Sequence, residues 1–320
     1  MKILVTGANG FVGRCLCADL SEHKHSVVAA LRCADSQLKG VERVIIGSID
    51  CTNDWTAVLQ HVDVVIHLAA RVHVMHEVAV DALAEFRKVN VDGTLNLATQ
   101  SAKAGVKRFI FISTIGVNGN ATNFNYPFSE DDISQPHDPY SVSKYEAEKG
   151  LYKLAEEAGL EIVIIRPPLV YGYGAPGNFG KIINALKKSI PLPLGAIHNK
   201  RSFVYVGNLV SLIVRCIDHP AATNQVFLVS DGCDLSTTEL LQKCAVALGV
   251  KARLLPVPQK FLALCLALLG KQAVAQRLCG NLQVDISKAR MLLGWVPPVS
   301  VEDGLKATAL GLIQSEFTKT

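Results

Sequence analysis

Tyr140 and Lys144 stand four residues apart in the run Tyr-Ser-Val-Ser-Lys, a spacing that puts both side chains on one helical face, one turn apart. A phenol titrates near pH 10 or so in water. An adjacent ammonium favours the phenolate and draws that value toward neutrality, which would let Tyr140 act as a general acid or base on a carbonyl/alcohol couple. Alone, this spacing is common and carries little. A hydroxyl partner lies upstream, where the apolar run 108–112 ends in Ser113 and Thr114. Open α/β sheets bind ligands in the crevice beyond such strand ends. A third element opens the chain: Ile3, Leu4 and Val5 stop at Gly7, and glycines return at Gly10 and Gly13. A strand turning abruptly into a helix offers free N–H groups and the positive end of the helix dipole to a pyrophosphate. Gly7 would allow the tight turn, Gly10 the approach of a phosphate, and Gly13 the packing of helix on strand. The spacing is G-x-x-G-x-x-G, not the commoner G-x-G-x-x-G.

These residues need elements to hold them. Strand-like apolar runs at 2–6, 26–31, 43–46, 63–68, 108–112 and 161–166 alternate with helical stretches at 12–23, 55–60, 81–104 and 140–158. Nearly continuous Val/Ile/Leu strands indicate a parallel sheet covered on both faces. Strand–helix alternation makes it an α/β, doubly wound sheet. After Arg166 the texture changes. Residues 167–202 are dense in proline and glycine, which marks loops and short elements. Helices then follow at 207–218, 236–248 and 258–269, with short strands at 203–206 and 225–229. The expected organisation is a dinucleotide-binding domain over 1–166. Residues 167–320 form a small mixed substrate subdomain, with some segments returning to the first.

The chain has 320 residues, 49% hydrophobic and 19% charged, with a net charge of +4. That composition suits a well-buried enzyme and excludes disorder. No basic run with interleaved aromatics points to nucleic acid. Nine cysteines without a C-x-x-C pair read as small core hydrophobes in a reducing cytoplasm. His67, His73 and His76 have no carboxylate or cysteine pattern to make them a metal site. No secretory signal fits the first apolar stretch. The most lipophilic segment, residues 261–269 between Lys260 and Lys271, is half the length a membrane span needs. It reads as a buried helix in a cytoplasmic protein, with a membrane-leaning or lid role the alternative.

Together these motifs resemble the extended short-chain dehydrogenase/reductases, particularly their nucleotide-sugar epimerases and reductases of the UDP-glucose 4-epimerase-like branch. The matching stretches are TGANGFVG (6–13), DVVIHLAA (63–70), VNVDGT (89–94), FIST (111–114), YSVSK (140–144), RPPLVYG (166–172), RSFVYVGNL (201–209) and LGWVPPVSVEDGL (293–305). The resemblance implies a Rossmann-type NAD(P)-binding sheet. Gly7, Asn9, Gly10, Phe11, Val12 and Gly13 would bind the dinucleotide at the glycine turn; Leu68, Ala69, Ala70, Asn90 and Pro167 would line its cleft. Tyr140 and Lys144 become the catalytic pair, Lys144 also holding the nicotinamide ribose, with Thr114 as the catalytic hydroxyl. Ser113, Asn178, Phe179 and Arg201 would contact a nucleotide-sugar substrate, Arg201 gripping a phosphate. A homodimer is implied too.

Two departures bear on the reaction. Where NAD-using relatives end the second strand in an acid, this chain has Leu31 followed by Arg32. An arginine attracts a 2′-phosphate, so Arg32 tilts the cofactor to NADP(H), with NAD(H) the alternative. Leu169 stands where some epimerases place a substrate-binding asparagine. The first expectation is therefore 4-keto reduction of a UDP-6-deoxy-N-acetylhexosamine in surface-polysaccharide sugar synthesis. The alternative is a UDP-glucose or UDP-N-acetylglucosamine 4-epimerase with tightly bound NAD. A non-catalytic dinucleotide sensor is the rival of another class, and action on a lipid-linked sugar a lesser one.

Overall fold

The computed structural model describes residues 1–34, 38, 40–72, 81–176 and 178–317. Strands β1 (Lys2–Thr6), β2 (Ser26–Leu31), β3 (Glu42–Ile45) and β4 (Val64–His67) are joined by helix α1 (Phe11–Glu22) and loops. Helices α2 (Ala82–Arg87) and α3 (Thr94–Lys103) flank a π-helical turn over Lys88–Gly93, and lead into β5 (Arg108–Ile112). Then come α4 (Pro139–Ala158), β6 (Glu161–Arg166), β7 (Leu169–Tyr171), α5 (Asn178–Lys187), β8 (Phe203–Tyr205), α6 (Val206–Asp218) and β9 (Gln225–Leu228). The chain closes with α7 (Thr237–Ala247), α8 (Gln259–Leu268), α9 (Gln272–Cys279), α10 (Ser287–Leu293) and α11 (Val301–Phe317).

A seven-stranded sheet runs in the order β3-β2-β1-β4-β5-β6-β9, parallel throughout. This is the Rossmann-type doubly wound α/β sheet that the alternation predicts. The connections change direction between β1 and β4, where such sheets open a ligand crevice. Alternate residues of one strand face opposite sides, and both sides are dry. Ile3, Val5, Val27, Ala29, Val64 and Ile66 meet Leu16 and Leu20 of α1 and Leu209, Leu212 and Ile213 of α6. Leu4, Val28, Val65, Phe109 and Phe111 meet Leu97 and Ala98 of α3 and Ala147 and Leu151 of α4. A third cluster joins Tyr171, Phe179, Ile183, Phe203, Leu240 and Leu305 around the separate β7–β8 pair.

Several expectations are corrected. Residues 55–60 form turns rather than a helix; Trp55 is buried there, its N–H donating to Gln100 Oε1 at 2.8 Å. The expected helix 81–104 is interrupted by the π turn. Strand β7 and helices α5, α9, α10 and α11 are additional to the expected elements. Residues 261–269 do form most of a helix, but not a buried one: none of α8 is fully buried. Cys33, Cys51 and Cys233 are exposed rather than core. No described helix is long and apolar enough to cross a membrane.

Helix α4 has clear local causes. Asp138 caps it, accepting from Ser141 N–H at 3.0 Å and Ser141 Oγ at 2.9 Å. Pro139 takes the first turn, where its missing donor costs nothing, and Gly159 ends the helix at φ 69° in the left-handed region. A buried ion pair then fixes it to the sheet. Arg166, the last residue of β6, donates to Glu148 Oε1 at 3.0 Å and Oε2 at 2.5 Å. Its remaining arm donates to Asn118 Oδ1 at 2.9 Å. Removing one partner of such a pair strands the other charge in the core. Glu148→Ala is therefore expected to cost about 3–5 kcal/mol in urea unfolding, while the paired Glu148→Met/Arg166→Met exchange costs clearly less than the sum of the single changes.

Candidate active site

The glycine turn sits where β1 hands over to α1. Gly7 has φ +67°, and a Cβ there would come within 2.8 Å of Ala69 N. A Cβ on Gly13 would lie 2.2 Å from Gly7 O, inside any allowed contact. Gly10 N–H donates to Gly7 O at 2.9 Å, and no side chain caps α1, which begins at Phe11 and Val12. A turn that excludes side chains, placed at an uncapped helix N-terminus, fits a dinucleotide pyrophosphate. Asn9 O accepts from Arg14 Nε at 2.9 Å, which steadies the turn. Phe11 reaches across to the loop after β7, its ring 3.1 Å from a Cβ built on Gly172. The end of β4 forms the facing wall: Leu68, Ala69 and Ala70 are each half-buried. Arg32 is exposed just past the end of β2.

Asn90 lies buried in the π turn and its amide is fully used. Its Oδ1 accepts from Arg71 N–H at 2.8 Å, and its Nδ2 donates to Arg71 O and to Ser143 Oγ, each at 3.0 Å. Asn90 thus clamps the loop after β4 to α4. Ser143 Oγ in turn donates to Tyr140 O at 2.7 Å. Sequence reasoning missed Ser143; its place inside the Tyr-x-x-x-Lys run was the available signal.

Tyr140 and Lys144 share one face of α4. Lys144 Nζ donates to Ile112 O at 2.8 Å and lies 4.3 Å from the centre of the Phe111 ring. Ile112 ends β5, so Ser113 and Thr114 begin beside the ammonium. Beyond the strands, Ser113 N–H donates to Ile165 O at 2.8 Å and Ile115 N–H to Pro167 O at 2.9 Å, which fixes Ser113, Thr114 and the buried Pro167 against β6. Gly116 presses the following turn onto α4: a Cβ there would meet Ser141 Oγ at 2.2 Å. Thr114 Oγ1 accepts from Gly116 N–H at 3.2 Å. Ser113 is 3% exposed, and its Oγ has no hydrogen-bond partner. A buried hydroxyl without a partner is costly unless something else satisfies it. The Tyr140 ring packs at 6.1 Å from Phe86 of α2, over which the Arg71 guanidinium lies at 5.6 Å.

Burial sets the charges here. Desolvation draws Lys144 down to about 7, partly opposed by Glu148. Desolvation also drives the Tyr140 phenol above its ordinary value, and Asp138 adds to the rise. The fall expected from the Tyr-x-x-x-Lys spacing, with a positively charged nicotinamide to aid the ammonium, must work against this burial. Buried His67, under the same sheet edge, hydrogen-bonds Thr6 Oγ1 at 2.7 Å and Thr94 Oγ1 at 2.9 Å. Burial and the nearby Lys144 lower it to about 3, so it stays neutral.

The remaining sequence-named residues lie elsewhere. Phe179 is buried against Tyr171, ring centres 5.8 Å apart. The Asn178 side chain, His73 and His76 lie outside the described residues. Arg201 donates to Gly280 O at 3.0 Å. Its pKa is lowered to about 10 by burial and by the positive charge of Arg277. Arg201 and Arg277 are thus like charges that feel one another. Arg277, on α9, stands outside every motif singled out in the sequence.

Residues 3–230 match the NAD dependent epimerase/dehydratase family. A UDP-glucose 4-epimerase of Vibrio cholerae is 46% identical over 316 residues, covering 98% of this chain and 96% of that protein. The crystal structure of UDP-glucose 4-epimerase with UDP-glucose from Thermotoga maritima superposes with TM-score 0.79 at 27% identity, covering 99% of this chain and 100% of that one. A UDP-glucuronic acid 4-epimerase from Bacillus cereus in complex with NAD shares the fold, with TM-score 0.80 at 24% identity, over 98% of this chain and 99% of that one. The chain belongs to the NAD dependent epimerase/dehydratase family.

Proposed function

We propose that this enzyme interconverts C4 epimers of a UDP-hexose or UDP-N-acetylhexosamine with NAD held in the cleft. The observation that carries the reading is Lys144 Nζ bonded to Ile112 O, the residue before Ser113 and Thr114, with Tyr140 one turn back on the same helix. Arg32, exposed just past β2, points toward NADP(H) and a 4-keto reductase. The likeness to the Vibrio cholerae UDP-glucose 4-epimerase over nearly the whole chain supports epimerisation better, and the family description supports NAD.

When bound, the nicotinamide supplies an acceptor for the sugar C4 hydride and later returns it. The glycine turn and the α1 N-terminus would hold its pyrophosphate, and Lys144 its ribose. Tyr140 takes the proton of the C4 hydroxyl as the C4–H bond breaks, and gives it back when the hydride is returned to the other face of the ring. Thr114 donates to the C4 oxygen, and Ser113 satisfies its free hydroxyl on the substrate. For Tyr140 to accept a proton, its raised pKa must fall. A charged Lys144 and a positive ring beside the phenol both act in that direction. Arg201 and Arg277 hold the substrate phosphates.

Incubation with UDP-glucose or UDP-N-acetylglucosamine and no added cofactor should yield the C4 epimers, and denatured enzyme should release NAD. Absence of epimers together with NADPH-dependent reduction of a 4-keto-6-deoxy sugar nucleotide would establish the reductase instead. Tyr140→Phe should lower turnover by roughly 100-fold or more, with substrate binding retained. Arg277→Ala should raise KM for the nucleotide sugar more than it lowers kcat, as steady-state kinetics will show. Lys144 titrates at about 7 when folded against 10.5 as its ordinary value. The unfolded chain therefore binds the extra proton between those values, and stability rises with pH across that window. In denaturation of cofactor-stripped enzyme, wild type should gain on Lys144→Met by up to about 1.4 kcal/mol per pH unit in that range.

A further inference from the structure

Helix α8 presents an apolar stripe to solvent. Phe261, Leu264 and Leu268 are 60%, 56% and 80% exposed, and their spacing of three and four puts them on one face. Leu269, and Val274 on the partnered α9, continue the patch. Leu262 and Leu278 point the other way and pack on the third core cluster, so the helix pair is anchored and its outer face is left bare. An apolar surface of this kind on a soluble fold marks a contact with something.

Charge indicates what. Between Glu239 and Asp285 the sequence contains no carboxylate at all, but six cations. The chain as a whole is only +4, so everything outside this stretch is net negative. Lys243 is paired with Glu302, and Arg277 faces Arg201. Lys260 and Lys271 bracket the stripe in sequence and Lys251 and Arg253 precede it; all four are exposed, with no ion pair among the described residues. An apolar helix face rimmed by lysine and arginine, without acids, matches an anionic lipid surface, where the leucines enter the acyl boundary and the cations meet headgroups. A second copy of the chain fits poorly, since a two-fold contact would set these cations against one another. An acidic protein fits less well too, because the stripe is an exposed helix ridge that gives a partner little shape to read.

We propose that α8 and α9 seat the enzyme peripherally on anionic phospholipid membrane. Ten helical residues of α8 lie on a bilayer surface and do not cross it. The test is co-sedimentation of the full-length enzyme with phosphatidylcholine vesicles, made with and without phosphatidylglycerol. Binding is expected only to the anionic vesicles, and is expected to fall as salt rises. Leu264→Glu/Leu268→Glu and, separately, Lys260→Glu/Lys271→Glu should each weaken it by about tenfold or more, with thermal unfolding and elution volume unchanged. Equal binding to neutral vesicles, binding to neither, or a change of oligomeric state caused by the stripe variant would each overturn the proposal.

Discussion

One buried guanidinium holds the candidate site together. Arg166 ends β6, its carboxylate partner Glu148 lies in α4, and Asn118, which takes its remaining arm, follows the turn after β5. Those are the elements that carry or back Tyr140, Lys144, Ser113 and Thr114. Taking the two charges out of water is costly, and the pair persists only because every arm of the fork is satisfied. Asn118 also donates to Ser129 O at 2.8 Å, which extends the network into the loop before α4. Geometry fixed this way cannot drift at one element without disturbing the others.

The same dryness that makes the ion pair demanding governs the titratable groups. Lys144, Tyr140 and His67 are each displaced toward their neutral forms by burial. A site of neutral, desolvated groups is poised for charges that arrive with its ligands, since fields act strongly where water is absent. Backbone contacts complete the preparation: Lys144 is aimed by Ile112 O, and Asn90 ties the loop after β4 to the helix bearing Tyr140.

The sheet was legible in the sequence because parallel strands buried on both faces are nearly all apolar. Runs such as residues 161–166 admit little else, and Gly7 and Gly13 were legible because their neighbours leave no room for a side chain. The π turn was not, since Lys88–Gly93 reads as uninterrupted helix until its hydrogen bonds are seen. Strand β7 has three residues in a proline- and glycine-rich stretch, too few to show a period. Helix α8 misled because mean hydropathy says how apolar a segment is, not which way it faces. Spacing likewise places a lysine one turn from the Tyr140 phenol but is blind to how strongly burial lowers that lysine. Leu31 and Arg32 alone could not choose between reduction and epimerisation, because two residues at the end of β2 bear on the cofactor and not on the sugar.

The sheet face built from Ile3, Val5, Val27 and Val64 is covered by α1 and, much later in the chain, by α6, Leu293 and Trp295. Strand β9 likewise joins β6 only after a long excursion through residues 167–224. On the ribosome the N-terminal strands therefore emerge well before their cover exists. At roughly 5–20 residues per second, the first strands wait many seconds with only α1 to cover that apolar face. Biosynthesis of this fold is thus a race between completing the chain and misassociation of its first half, a hazard set by topology rather than by weak packing.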